Sequence, residues 1–568
     1  MNDMEKAYAA YRKLADRPYT KATTAQLNVA YNVLCRVRRD PAFAAAIRDY
    51  ATPEGEPVNA LIEKYFSDYN NSYGLHIEDT LTEFDDFNLA AGGYFVISTD
   101  LRLPDGTMRP TSPIDLSVGD TVHLRAEYFS HGDDMHFTPT AISYVLRCDG
   151  GVIREGRVEN THTLELDVSL NCPGAALIRI IAEGDDGKPL LGSENGYGGL
   201  LFSKLDIRTT RPVPADLADF WRDAIDRLMR VDPRGTTPDG YSGNVVYDFD
   251  MPSKNFFSLR RVDVSYLADM RANKLKTPND DRLDKYDVYE LYLKAPGPCH
   301  ASAYVSVPRS ATSRLPIRFV YDGYGCHSPS IMTSDQYIYA HCSHHGYELA
   351  APDEGYYTPL NADILKNYGR ANGKPNSDFN DKNDCYLYYM LLRNLQVIRF
   401  LTDPALSYDV EGLHDRWNGE IILGGGSMGG YQTVCVGGLL TLLAERSAPF
   451  VCARLEPGIP AFGDLGAEVD PMKIHTGRRG YEENSDYFDA AMLATLIRSY
   501  LRISRVGLGD ETCISSAIHA MFNSIPDSVP KEAKYLQNSN HGYMPEESKQ
   551  SWFIYKNTAA MALENNNA

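Results

Sequence analysis

A serine with a glycine two residues before it and another two residues after it stands out as a group that could do chemistry. It lies in Glu420-Ile-Ile-Leu-Gly-Gly-Gly-Ser427-Met-Gly-Gly-Tyr431 of a 568-residue chain. A β-branched run precedes it, and a helix-compatible apolar run, Val434 to Leu443, follows. Where a strand turns sharply into a helix, the residue at the turn takes a strained backbone conformation. Glycines at these two spacings remove the side chains that would clash there. The serine oxygen is then presented at the carboxyl edge of a sheet. The amide of the next residue, Met428, sits at a helix N-terminus, where a developing negative charge is stabilised. The expected chemistry is attack by Ser427 on an acyl carbonyl, with the Met428 N–H in the oxyanion hole. The plain alternative is a glycine-rich turn that lets strand and helix pack closely.

A nucleophile on such an elbow needs an acid and then a histidine, in that chain order, as in α/β-hydrolases. The strand-like run Leu501-Arg-Ile-Ser-Arg-Val-Gly507 leads into Leu508-Gly-Asp510-Glu-Thr, which puts Asp510 just past a buried strand. Glu511 is its competitor, and capping a helix is the simpler job for an aspartate in such a loop. A last short strand, Glu532 to Leu536, precedes Asn538-Ser-Asn-His541-Gly-Tyr, so His541 occupies the general-base position. His519 lies among Ala517, Ile518 and Ala520 and reads as structural. In this set His541 takes the serine proton and returns it to the leaving alcohol, while Asp510 fixes the imidazole tautomer. A second oxyanion amide usually follows an earlier strand. The candidate is Tyr324 in Val320-Tyr-Asp-Gly-Tyr-Gly-Cys326-His, equally readable as a tight turn.

No metal or cofactor is expected. His341, His344 and His345 cluster, yet HExxH and CxxC spacings are absent from the chain. Pairs such as Asp353-Glu354 could imitate the two carboxylates of a glycosidase, but acidic residues are abundant here and usually solvated.

The elements that must position these groups fall into three stretches. A chain of 568 residues exceeds one core. Residues 1–73 read as helical: Ala7, Tyr11 and Leu14, then Leu27, Ala30, Leu34 and Val37, recur at spacings of three and four. Across 74–211 the period changes to two, as in Thr121 to Tyr128 and Thr163 to Leu170, with turn signals such as Asp149-Gly-Gly151 between; this predicts a β-sandwich of immunoglobulin-like size. After Arg211-Pro-Val-Pro214, residues 212–568 alternate strand-like and helical runs, the mark of an α/β fold with a mostly parallel sheet.

A formal charge of −20, from 56 basic and 76 acidic residues, disfavours nucleic acid and anionic membrane surfaces as partners. The N-terminus carries no secretory pattern, no apolar run is long enough to span a bilayer, and the ten cysteines are scattered; the expectation is a cytoplasmic enzyme with buried thiols.

The stretch from about 200 to 555 resembles the acetyl xylan esterase/cephalosporin C deacetylase family, carbohydrate esterase family 7, an α/β-hydrolase family. Its lead-in is similar to Gly198 through Ile207 and Pro214 through Trp221. Asp322-Gly-Tyr324-Gly stands where that family has a His-Gly-Tyr oxyanion loop, and Asp384 to Arg393 is similar to its Tyr-rich helix. Gly425-Gly-Ser427-Met-Gly-Gly430 resembles Gly-Gly-Ser-Gln-Gly-Gly. Val506-Gly-Leu-Gly-Asp510-Glu-Thr-Cys513-Ile-Ser-Ser is similar to Gly-Leu-x-Asp-x-x-Cys-Pro-Pro-Ser, which favours Asp510 over Glu511. Three departures concern the acyl pocket: Met428 replaces Gln, Asp322 replaces His, and Ala351 to Tyr357 shows no Arg-Gly-Gln-Gly. The resemblance implies a serine esterase that removes acetyl groups from carbohydrates, without a cofactor and as a homo-oligomer. Two other readings compete. A prolyl-oligopeptidase-like peptidase would need a propeller, for which a β stretch of ~130 residues is too short. A non-catalytic carbohydrate-binding protein would leave an ordered Ser–Asp–His set without a use.

Overall fold

Period-two alternation becomes strand where one face must be buried. In Thr121 to Tyr128 the apolar members Val122, Leu124, Ala126 and Tyr128 are all fully buried. They lie on β3 (Thr121–Ser130), which pairs antiparallel with β1 (Gly93–Arg102) and β6 (Thr163–Val168); β2 (Met108–Pro110) completes a sheet of order β2-β1-β3-β6. A second antiparallel sheet has the order β5-β4-β7-β8, built from β4 (Ala141–Cys148), β5 (Val152–Glu159), β7 (Gly174–Glu183) and β8 (Gly196–Phe202). One core joins the two sheets: Phe95, Leu124 and Leu164 from the first with Ile142, Ile178 and Leu200 from the second. Gly150 and Gly151, both at positive φ, make the β4–β5 turn that Asp149-Gly-Gly predicts.

The computed structural model describes residues 8, 24–51, 55–73, 93–130, 136, 138–185, 187–190, 192–236, 256–272, 281–297, 299–325, 329–343, 348–350, 357–358, 381–476 and 481–567. The predicted apolar positions Ala7, Tyr11 and Leu14 and the start of the β stretch at 74 lie outside them. Leu27, Ala30 and Leu34 fall on α1 (Thr24–Arg39). With α2 (Pro41–Asp49) and α3 (Val58–Tyr73) this helix closes a core of its own, in which Phe43, Ile47, Ile62 and Phe66 are also buried. Asp40 caps α2 by accepting from the amides of Ala42 and Phe43, with a proline at the helix start.

The second half carries a ten-stranded mixed sheet of order β18-β17-β16-β15-β14-β12-β13-β11-β10-β9. Its strands are β9 (Ser258–Arg261), β10 (Tyr286–Leu293), β11 (Ala301–Pro308), β12 (Leu315–Tyr321), β13 (Ile338–Ser343), β14 (Trp417–Gly426), β15 (Val451–Gly458), β16 (Leu501–Gly507), β17 (Lys531–Leu536) and β18 (Trp552–Lys556). From β13 to β16 the neighbours run parallel, whereas β9, β10 and β11 pair antiparallel, as does β11 with β13. Parallel strands are covered on both faces and therefore read as apolar runs. One register row crosses five of them as Ala340, Phe319, Leu423, Leu455 and Leu501, every residue fully buried. Three helices coincide with the helix-like runs of the sequence: α4 (Leu217–Arg230), α5 (Tyr386–Thr402) and α6 (Met428–Ala444). α4 buries Leu217, Phe220, Trp221, Ala224, Ile225 and Leu228 on one stripe. α6 is apolar around almost its whole circumference and is buried accordingly.

The chain forms two units. One comprises Met1–Ser203 together with two short returns of the chain, Gly507–Asp510 and Leu536–Trp552; the other comprises Lys204–Val506, Glu511–Tyr535 and Phe553–Ala568. Among the described residues no helix is long and apolar enough to cross a membrane. Cys148, Cys342, Cys435 and Cys452 are thiols outside any disulfide.

Candidate active site

Ser427 stands between β14 and α6 with φ 58° and ψ −115°, a left-handed conformation that costs a non-glycine residue ~1–3 kcal/mol and persists only where its surroundings enforce it. The enforcement is backbone to backbone. The Ser427 amide donates to the Gly458 carbonyl at 2.9 Å, and the Ser427 carbonyl accepts from Tyr431 at 2.9 Å and Ala461 at 3.1 Å. A Cβ on Gly425 would meet the Tyr321 carbonyl oxygen at 2.4 Å, and one on Gly429 would meet it at 2.1 Å. Both glycines of the sequence pattern are thus required by close approach of the chain that ends β12. The helical ladder begins with the Tyr431 amide, so the amides of Met428, Gly429 and Gly430 precede it at the positive end of α6. The Met428 side chain is buried.

The turn after β12 passes beside this elbow. A Cβ on Gly323 would lie 4.0 Å from Cβ of Ser427 and 3.7 Å from the Gly426 carbonyl oxygen, so Tyr324, a side chain 40% exposed, follows immediately after the closest approach. Gln432, on the first turn of α6 and fully buried, accepts from Asn394 Nδ2 at 2.8 Å. Its Nε2 donates to the carbonyls of Met428 at 3.2 Å and Asp322 at 3.4 Å, which ties the turn to the elbow. Nothing in the sequence marks Gln432 or Asn394, because their partners are far away in the chain.

Asp322 has a second partner. His341 on β13 places Nε2 2.9 Å from Asp322 Oδ1 and Nδ1 2.6 Å from the Ser330 carbonyl oxygen. A carbonyl can only accept, so Nδ1 carries a proton. Burial presses this imidazole toward its neutral form, but the Asp322 carboxylate and the Ser330 carbonyl outweigh it and leave the pKa raised. Of the three clustered histidines, His341 serves this ion pair, and His344 and His345 lie outside the described residues. The Asp353-Glu354 pair also lies outside them.

The acid and base candidates are in the other unit, and there they meet. His541 Nδ1 is 3.0 Å from Asp510 Oδ2; the carboxylate is fully buried and the imidazole 31% exposed. With Nδ1–H donating to Asp510, the neutral tautomer has its basic lone pair on Nε2. His541 sits in a tight turn organised by its neighbour: Asn540 Oδ1 accepts from the amides of Gly542 at 3.0 Å and Tyr543 at 2.7 Å. Asp510 follows Gly509, whose amide donates to the Ser539 carbonyl at 3.0 Å, so the acid loop and the histidine loop are linked directly. Between the acid candidates, the histidine is on Asp510, as the motif comparison favours. His519 is fully buried on α7 (Ser515–Ser524), with Nδ1 2.5 Å from the Tyr535 hydroxyl. Burial, with Lys204 and Lys531 adding to it, pushes its pKa down to about 3, the neutral core histidine that its sequence neighbours predict.

One group of metal-ligand types lies away from these residues: Glu127, His136 and His162 bring one donor atom each within 4.8 Å of one another. The two imidazoles stack at 4.3 Å, and Glu127 also accepts from Arg125.

No family model and no curated protein matches this chain. Among solved structures it is similar to acetyl xylan esterase 1 from Thermoanaerobacterium sp. JW/SL YS485, at 15% identity over 60% of this chain and 93% of that one, with a TM-score of 0.38. An acetyl xylan esterase from Paenibacillus sp. R4 has 14% identity over 61% of this chain and 95% of that one, at the same TM-score of 0.38. A bacterial heroin esterase has 13% identity over 50% of this chain and 86% of that one, with a TM-score of 0.27.

Proposed function

We propose that this chain is a serine carboxylic ester hydrolase of the α/β-hydrolase type that removes acetyl groups from acetylated carbohydrates. The observation that carries the reading is the enforced left-handed Ser427 at a strand–turn–helix elbow, with an Asp510–His541 pair in the chain order such an elbow requires. In this reading Ser427 Oγ attacks the ester carbonyl while His541 Nε2 takes its proton. The amides of Met428 and Tyr324 stabilise the oxyanion, and the imidazolium, steadied by Asp510, protonates the departing sugar hydroxyl. Water then attacks the acetyl–enzyme ester by the same route in reverse, releasing acetate and restoring Ser427. The acetyl and carbohydrate parts of the proposal rest on the motif resemblance over 200–555. Residues 93–202, in the same reading, are an immunoglobulin-like β-sandwich.

The test is hydrolysis of p-nitrophenyl acetate and of acetylated xylo-oligosaccharides, compared with prolyl amides, by wild type and Ser427→Ala. Ester turnover that the variant loses supports the proposal. Turnover undiminished in Ser427→Ala would refute the nucleophile, and cleavage of amides in preference to acetyl esters would refute the substrate class.

A further inference from the structure

The two short returns of the chain into the N-terminal unit are the ones that hold the acid and the base. After β16 the chain enters that unit at Gly507–Asp510, and after β17 it enters again at Leu536–Trp552. What receives them is the edge of the second sheet. β8 is a terminal strand in the order β5-β4-β7-β8, and an edge strand presents one row of backbone groups without a neighbouring strand. At Gly199 a side chain takes the place of that strand. Gln537 Oε1 accepts from the Gly199 amide at 3.0 Å, and its Nε2 donates to the Gly199 carbonyl at 3.0 Å, with the glutamine only 2% exposed. One residue's N–H and C=O point to the same side of an antiparallel strand, so a primary amide can satisfy both at once.

The surrounding backbone is fitted to this clamp. A Cβ on Gly199 would meet the Leu508 carbonyl oxygen at 2.0 Å, and one on Gly509 would meet the Gly198 nitrogen at 2.7 Å. Asn538, next in the chain and at φ 53°, donates through Nδ2 to the Phe95 carbonyl on β1 of the first sheet. Ser539 accepts from Gly509 through its carbonyl and donates through Oγ to the Tyr543 carbonyl at 2.9 Å. Every residue between the end of β17 and His541 is therefore fixed, and the fixed end is Gln537 on Gly199.

We infer that Gln537 is a positioning residue for the catalytic base: by clamping the Gly199 backbone it makes the N-terminal β module the seat of the Asp510–His541 pair. The module then acts in the reaction and is not a detachable binding appendage. This inference rests on the triad reading above.

The experiment uses the full chain. In Gln537→Ala the clamp is gone, and a slightly displaced base costs turnover steeply. The expected result is a fall of roughly 10–100-fold in kcat for p-nitrophenyl acetate with KM changed little. Gln537→Glu keeps the shape. As the neutral acid it still donates and accepts at Gly199; as the carboxylate it can only accept. Its kcat should therefore fall with rising pH in an alkaline limb that wild type lacks, at pH values where its unfolding midpoint shows the chain still folded. A third readout is the downfield proton resonance of His541 Nδ1–H, identified by its loss in His541→Gln and expected to shift or vanish in Gln537→Ala. Kcat within twofold of wild type in Gln537→Ala, with only a lower unfolding midpoint, would overturn the inference. Should wild type hydrolyse no ester, the esterase reading falls, and the proton resonance still decides: unchanged in Gln537→Ala, it overturns the positioning role.

Discussion

Among the described residues, the aspartate–histidine pairs Asp510–His541 and Asp322–His341 are wired in opposite ways. In Asp510–His541 the carboxylate is buried and takes Nδ1, while the imidazole is 31% exposed. In Asp322–His341 the imidazole is 5% exposed, its Nε2 faces the carboxylate and its Nδ1 is used on the Ser330 carbonyl. A proton shuttle needs one nitrogen oriented by an acceptor and the other able to exchange a proton with a reacting group. In the first pair Asp510 orients Nδ1, whereas in the second Nδ1 is used on the Ser330 carbonyl and Nε2 faces Asp322. Residue types alone therefore do not decide which imidazole nitrogen a carboxylate takes. What separates the two is which nitrogen faces the carboxylate, Nδ1 in the first and Nε2 in the second, and the second pair sits on the turn beside Ser427.

The sharpest way to break this comparison is to remove each histidine. His541→Ala should lower kcat for p-nitrophenyl acetate by ~10⁴-fold, the usual cost of losing a triad member. His341→Ala should cost far less in turnover and more in stability, read by steady-state kinetics beside an unfolding curve. Equal kinetic losses would erase the distinction. Asp510→Asn should approach the loss of His541→Ala, because an amide at that position favours the wrong imidazole tautomer, and the unfolding midpoint should move little by comparison.

Asp322→Asn should act in the other direction, on the fold first. It leaves a buried imidazole without its counter-charge, at a cost of about 1–3 kcal/mol in denaturant unfolding, and loosens the turn that carries Tyr324. The smallest effect is in pH. The folded-state pKa of His341 is raised, so the pair's contribution is complete below the unfolded value of ~6.5 and is lost as pH climbs through the folded value. As pH rises from ~6.5 through the folded value, the wild-type unfolding midpoint should therefore decline more than the midpoint of His341→Gln does. Parallel curves would remove the ion pair from the account.

What could be read from the chain is what has a local signature. The elbow was legible because Gly425 and Gly429 answer a steric demand at fixed spacing, and the parallel strands because apolar stretches such as Ile421–Leu423 recur between helical runs. Asp510 and His541 were legible by order: each follows a strand. The Gln537–Gly199 clamp was not, since its partners are 338 residues apart and a lone glutamine after a strand carries no pattern. Nor was the membership of Gly507–Asp510 and Leu536–Trp552 in the N-terminal unit, because returns this short leave no shift in composition. His341 was noticed only as one of three clustered histidines. Its partner Asp322 comes from the neighbouring strand's end, and strand order is set by packing of residues distant in sequence.

The central claim is that Ser427 becomes acetylated during turnover. Quenching the chain in acid during p-nitrophenyl acetate hydrolysis, followed by peptide mass spectrometry, tests it directly. A single acetyl group is expected on the peptide containing Ser427, formed within the first turnover and absent from Ser427→Ala. Stoichiometric acetylation of another residue at the same rate, or undiminished turnover with none on Ser427, would contradict it.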